Sequence, residues 1–324
     1  MFGLTFLSAT SKTTTHRVAP FSIKGLVLGV AGYMAGGSAA GGIPISAILK
    51  IAFPADTLTT LSATLTTARE LPAGFANSGT AGYMAGGSDG VRISAILKIA
   101  FPADTLTTLS ATLTTARTGA AGFANSGTAG YVAGGNDGAR ISGIDKITFP
   151  ADTKTTLSAT LTTARQDTAG FANSGVAGYV AGGNDGARIS AILKVAFAAD
   201  TLTTLSATLT TARSQATGFA NSGTAGYVAG GADATTNLNA IDKVAYAADT
   251  RTTLSATLST APQHPTGFAN SGTAGYVAGG EGAAPSPYNY IDKIAFPADT
   301  LTSLGAIMPS ARHSMAGFAN SGAL

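Results

Sequence analysis

A tyrosine-glycine phrase, GY(M/V)AGG, recurs six times along the chain, with its tyrosine at Tyr33, Tyr83, Tyr131, Tyr179, Tyr227 and Tyr276. Successive tyrosines are 50, 48, 48, 48 and 49 residues apart. A fixed period of that length points to an array of supersecondary units, each of which buries its faces against its neighbours. One copy, Thr118 to Arg165, divides at its turn residues into four strands, here labelled a to d in chain order. Strand a is AGFANS (Ala121 to Ser126) and strand b is AGYVAGG (Ala129 to Gly135). The turn NDG (Asn136 to Gly138) leads to strand c, ISGIDKITF (Ile141 to Phe149). After the turn PAD (Pro150 to Asp152) comes strand d, TKTTLSATL (Thr153 to Leu161), rich in β-branched threonine.

Strand c carries the clearest alternation. Ile141, Ile147 and Phe149 recur as Ile93, Ile99 and Phe101 and again as Ile189, Val195 and Phe197, so one side of this strand is regularly apolar. Glycine pairs and prolines return too often to leave an uninterrupted helix of ordinary length. Four short antiparallel strands, six times over, are the signature of an all-β β-propeller, whose radial closure leaves only short, protected edges.

Composition agrees with a folded protein. Of 324 residues 45% are hydrophobic and 11% charged, enough apolar surface for a large core and too little charge to drive disorder. The 42 glycines and the absence of Trp suit short strands and tight turns. No Cys is present, which excludes disulfides and thiolate metal sites. A net charge of +3 with no Lys/Arg run implies neither a nucleic-acid nor a membrane-surface partner. The start, MFGLTFLSAT, lacks a positively charged n-region and a long apolar core, so no secretory signal is expected. Gly25 to Gly37 is too short and glycine-rich to span a bilayer, so no membrane insertion is expected either.

The string of Arg117, AGF, AGYVAGG, strand c and a closing TTAR resembles the kelch repeat, over about residues 31 to 322. It departs from the kelch pattern in lacking the outer-strand Trp, in whose place Thr stands. The combination GYVAGG, IDKIAF, DT, TAR and GFANSG is similar, more closely still, to the degenerate kelch-like repeats of tail-fibre and virion-associated proteins of tailed bacteriophages. The resemblance implies a virion location, synthesis in the host cytoplasm, and attachment to a host surface glycan or protein or to other virion subunits. A homo-oligomer is compatible with it.

Strands b, c and d occur six times in full, which predicts six blades. After the sixth strand d the chain adds one more strand a, Ala316 to Ser321, expected to pair with strand b at Ala31 to Gly37 and so close the ring. Residues 1 to 30 hold a poor copy of strands d and a, Leu7 to Thr10 and His16 to Phe21, and are expected to serve attachment or self-assembly. The alternative is a seventh, incomplete blade made from both termini. Residues 31 to 324 form the propeller domain in either case. GFANSG supplies small residues for the crowded innermost strand, the glycine pair after Tyr131 allows close approach and a positive φ, and Phe123 and Tyr131 are expected to pack between blades.

Chemistry finds few candidates. Asp56, Asp104, Asp152, Asp200, Asp249 and Asp299 each precede Thr in a turn and read as turn caps. The recurrent Arg69, Arg117, Arg165, Arg213 and Arg312 read as ligands of turn carbonyls or neighbouring blades. The histidines, His16, His264 and His313, are not at metal-ligand spacing, and the GGNDGAR segments have too few oxygen donors for a calcium loop. A Ser-His-Asp set would have to be assembled across blades from His264 or His313, and paired glycosidase carboxylates are not seen. No cofactor and no enzymatic activity are expected.

Variation is confined to two loop sets. If the strands alternate, the a–b and c–d turns, NSGT and PADT, share one face, and the b–c and d–a loops share the other. The second set differs in almost every copy, and loops on a rigid scaffold are where binding residues tend to sit. The expected binding face includes Glu70, Arg92, Asp137, Arg140, Asp167, Arg188, Gln215, His264, Tyr288, Tyr290 and His313, with the long loop around Tyr288 and Tyr290 its most distinctive part. Two rival functions are an intracellular kelch-type scaffold for a protein partner and a propeller hydrolase.

Overall fold

Each repeat folds between the turns that its glycines and acids permit. A computed structural model describes residues 30–282 and 287–321. In the third blade strand a spans Ala121–Asn125, b Ala129–Ala133, c Ile144–Thr148 and d Thr153–Thr156. The register places Phe123 opposite Tyr131, and Tyr131 opposite Lys146. Strand b stops where Gly134 and Gly135 take φ of 67° and 106° and turn the chain out of the sheet. Six such four-stranded antiparallel sheets make a six-bladed β-propeller, with no helix among the described residues. The expected strand d is longer than the observed one in half the blades. It runs eight residues in the first, second and fourth (Thr57–Thr64, Thr105–Thr112, Thr201–Thr208) and four in the others.

Ring closure is as expected. Ala316–Ala319 pairs antiparallel with Ala31–Ala35, setting Gly32 opposite Ala319 and Tyr33 opposite Phe318, so the first blade is assembled from both ends of the described chain. The ring therefore has six blades and not seven. The expected attachment segment, residues 1 to 30, lies outside the described residues except for Val30.

Strands a line the axis, backbone against backbone. A Cβ on Gly122 would fall on the carbonyl of Gly74, one on Gly170 on that of Gly122, and so on through Gly218, Gly267 and Gly317 back to Gly74. Only glycine permits this spacing.

One step outward, each interface repeats a second device. Phe123 lies over Gly178 of the next blade, where any side chain would collide with the ring. Phe123 also stacks on Tyr131 at 5.3 Å, and Tyr131 on Phe197 of the next blade at 5.2 Å. The Tyr131 hydroxyl donates to Asp200 Oδ1 at 2.8 Å, and Lys146 Nζ reaches Asp200 Oδ2 at 2.7 Å. The same tyrosine-lysine-aspartate clamp forms at all six interfaces, ending with Tyr276 and Lys293 on Asp56. Burial first, then the hydrogen bond and charge of Asp200, push the Tyr131 hydroxyl well above its ordinary pKa, so it stays protonated and donating. The aspartates read above as turn caps are therefore ties between blades. Their lysine partners are about one-fifth exposed, so the ion pair itself contributes no more than about 1 kcal/mol. Ring stacking on fully buried Phe and Tyr supplies the larger share.

Further out, Arg117 is buried and donates to the carbonyls of Gly134 and Gly143 at 3.1 and 3.3 Å and to Asp145 Oδ2 at 2.7 Å. Arg213 and Asp242 repeat the pair in the fifth blade. The sixth blade keeps the acid, Asp292, but has Pro262 where the arginine would stand. Asp292 is fully buried, held on Oδ2 by the Ser259 amide and hydroxyl at 2.9 Å, while Oδ1 has no partner.

Gly122→Ala is expected to lower stability by about 2–3 kcal/mol, and Gly143→Ala, which meets open space, by less than about 0.5 kcal/mol; thermal denaturation of the two checks this. In the same assay Asp292→Leu is expected to raise Tm, since it removes a buried charge with no cation. Asp145→Leu, which removes a charged acceptor from Arg117 and leaves it on its two carbonyls, as Arg69 stands beside Leu97, is expected to cost about 1–3 kcal/mol. Equal losses in the two aspartate variants would refute this account of the sixth blade.

Candidate functional site

The two faces of the disc are built differently. On the a–b turn face the repeated NSG phrase is consumed by structure. The amide of Ser126 donates to the Ser174 hydroxyl at 3.1 Å, that of Ser174 to the Ser222 hydroxyl at 3.2 Å, and Gly127 N–H to Asn77 Oδ1 at 2.9 Å. A change in one copy would orphan a group in the next, which is why these turns are nearly invariant.

On the other face the d–a loops meet at the axis in a closed cycle of backbone hydrogen bonds. The amide of Gly119 donates to Leu71 O, Asp167 to Gly119 O, Gln215 to Asp167 O, His264 to Gln215 O, Ser314 to His264 O, and Leu71 to Ser314 O, at 2.7–3.1 Å. All six residues are left-handed, with φ from 48° to 62°. For the five that are not glycine this costs on the order of 1 kcal/mol each, and the cycle holds them there. Their backbones are equivalent and their side chains are all different.

This geometry sorts the predicted residues. Asp167, Gln215 and His264 belong to the cycle itself, and Glu70 and His313 directly precede two of its members. Asp167, Glu281, His313 and Glu70 all lie close enough to His264 to act on its charge. His264 and His313 rings are 6.3 Å apart. Arg92, Asp137, Arg140 and Arg188 stand away from the axis on b–c hairpins, which bridge to the d–a loops at pairs such as Glu70 with Ser88. Arg92 there donates to Asn136 Oδ1 of the next blade at 2.8 Å. Tyr288 and Tyr290 pack on each other at 5.4 Å, and the Tyr290 hydroxyl is enclosed, its pKa pushed up by burial.

Beneath the cycle lies an axial cavity of about 110 Å³, floored by the glycines of strands a and lined by Asp167, Thr168, Gln215, His264 and Ser314. Thr168, Ser314 and Glu281 were not singled out in the sequence. The first two occupy loop phases that other copies fill with different residues, and that is the only signal that could have marked them. Ser314 Oγ lies 2.8 Å from His313 Nδ1, and Glu281 Oε2 lies 3.8 Å from His313 Nε2. No group of three metal-ligating side chains occurs among the described residues. Compared with known proteins, the chain matches no protein-family model and no curated protein.

Desolvation is the main influence on His264 and lowers its pKa below the ordinary value near 6.5, against the opposing pull of Asp167 and Glu281. The unfolded chain therefore takes up this proton first as pH falls. The contribution is fully present above about pH 6.5 and is lost as pH drops toward the folded-state pKa. Tm measured from pH 7.5 to 5 is expected to fall less in His264→Gln than in the parent protein. Parallel curves would refute the assignment.

Proposed function

We propose that this protein is a non-catalytic binding module, virion-associated in the manner of the phage kelch-like repeats it resembles, whose b–c and d–a face docks a host surface glycan or protein or another virion subunit. The β-propeller itself is a fold often used as a protein-interaction scaffold. One observation carries the reading: the a–b turn face spends its repeated polar groups on tying blades together, while the opposite face holds six equivalent axial positions, each with a different side chain. Duplicated units that diverge at only one set of positions are what a recognition surface on a rigid frame would look like.

Mass spectrometry of particles purified from the native source tests the location, and absence from them would remove it. Docking is tested with a bulky maleimide adduct at Ala139→Cys, on a b–c hairpin, and at Val176→Cys, on the opposite face. Only the first is expected to abolish binding to cells or particles. Loss with the second alone would reverse the face.

The Ser314, His313 and Glu281 contacts favour a second reading, a hydrolase with Ser314 as nucleophile. Its test is turnover of short-chain aryl esters by the parent protein and by Ser314→Ala. Activity lost in the variant would replace the binding reading.

A further inference from the structure

We propose that the axial cavity under the variable face binds a protonated primary amine, the ammonium head of a lysine side chain or of an amino sugar on the docked partner. The proposal rests on the binding reading above and says what chemistry that face selects.

The first observation is an excess of acceptors. Thr168 is more than nine-tenths buried, lines the cavity, and its hydroxyl has no hydrogen-bond partner. The corresponding loop positions in the other copies hold Pro72, Ala120, Ala216, Pro265 and Met315, so the hydroxyl serves no repeated structural purpose. Gln215 lines the same cavity from the next blade, and its Oε1 is enclosed and also unpartnered. A buried polar atom with no partner costs roughly 1–3 kcal/mol, and two on adjacent blades facing one cavity mark a place where a donor belongs.

The second observation is charge. Asp167, which precedes Thr168 in the chain and whose carbonyl accepts from the Gln215 amide, is met by the neutral Gln166 amide at 2.9 Å. Neither Asp167 nor Glu70 forms an ion pair among the described residues, and Glu281 has only His313, at 3.8 Å. The lysines of strands c are held in the inter-blade clamps, and Arg69, Arg117, Arg165, Arg213 and Arg312 are buried away from water. Arg92 shares a groove with Glu70, so the uncompensated negative charge at the axis is that of Asp167, on a chain of net charge +3. An ammonium carries three N–H donors and one positive charge, matching a carboxylate, an amide carbonyl and a hydroxyl that converge from two neighbouring blades. A space of about 110 Å³ holds such a head with part of its alkyl stem.

The test is calorimetric titration of the full chain with Nα-acetyl-lysine amide, its Nε-acetylated form, and glucosamine beside N-acetylglucosamine. The free amines are expected to bind and the acetylated ones to bind at least about tenfold more weakly, since acetylation removes the charge and two donors. Whether the lysine analogue or glucosamine binds more tightly distinguishes the two sources. Thr168→Val and Asp167→Asn are each expected to weaken amine binding about fivefold or more with Tm little changed, Asn being tolerant of the left-handed backbone at position 167. Equal binding of free and acetylated amines, no binding of either, or variants that bind as the parent does would overturn the proposal. Docking that is blocked by the Ala139→Cys adduct yet indifferent to Thr168→Val and Asp167→Asn would leave the face assignment standing and remove the amine site alone.

Discussion

The contact between adjacent innermost strands, peptide against peptide at the axial glycines, fixes the geometry of everything outside it. With Gly122 seated on the carbonyl of Gly74, the angle between blades is set by backbone atoms, which cannot repack as side chains do. The second glycine ring follows from the first. Blades this close at the axis leave room for Phe123 to cross the interface only where the neighbour has Gly178. Phe123, Tyr131 and Phe197 then form a continuous stack, and the tyrosine hydroxyl ends against Asp200. Steric exclusion comes first, apolar burial second, and the polar clamp selects the register.

Polar groups are allocated with little waste. Of the 16 acids, the six of the c–d turns join blades, Asp145, Asp242 and Asp292 stand inside strands c, and four lie on b–c hairpins. The remaining three, Glu70, Asp167 and Glu281, lie close enough to His264 to act on its charge, Glu70 sharing a groove with Arg92. Two of the places where allocation fails differ in kind. Asp292 sits in a blade that lost its arginine to Pro262, so its isolation is a mark of divergence in one copy. Thr168 and Gln215 face a shared space, so theirs is a property of the assembled ring.

Architecture was legible because the repeat states it six times. The period gave the number of blades, the extra AGFANS gave the closure, and the small residues of GFANSG gave the innermost strand. The inter-blade clamp was not read, although all three of its members recur with the same period. Tyr33 and Asp104 are 71 positions apart, and turn chemistry offered a local explanation of the acid that hid the distant one. Strand d was overextended in three blades because the threonine pattern read from one copy recurs in five of the six, while pairing stops in the blades whose strand c carries Asp145, Asp242 or Asp292. At the candidate site, loop variability singled out Asp167, Gln215 and His264, but placed Tyr288 and Arg92 beside them on equal terms. Their separation depends on the cycle of backbone bonds, and backbone bonds carry no residue signature.

Closure by Ala316–Ala319 has a consequence for the growing chain. Residues 31–35 leave the ribosome long before their partner strand exists. At about 5–20 residues per second the inner edge of that strand waits roughly 15–60 s for the segment that covers it. An open edge is a template for pairing with any extended chain, and here the nearest ones are the nearly identical inner strands of the later repeats. What distinguishes the correct partner during that interval is not sequence, since every (A/T)GFAN segment would fit, but the order of synthesis: each earlier copy is followed at once by its own strand b, whereas Ala316–Ala319 is reached only after all six strands b have been made.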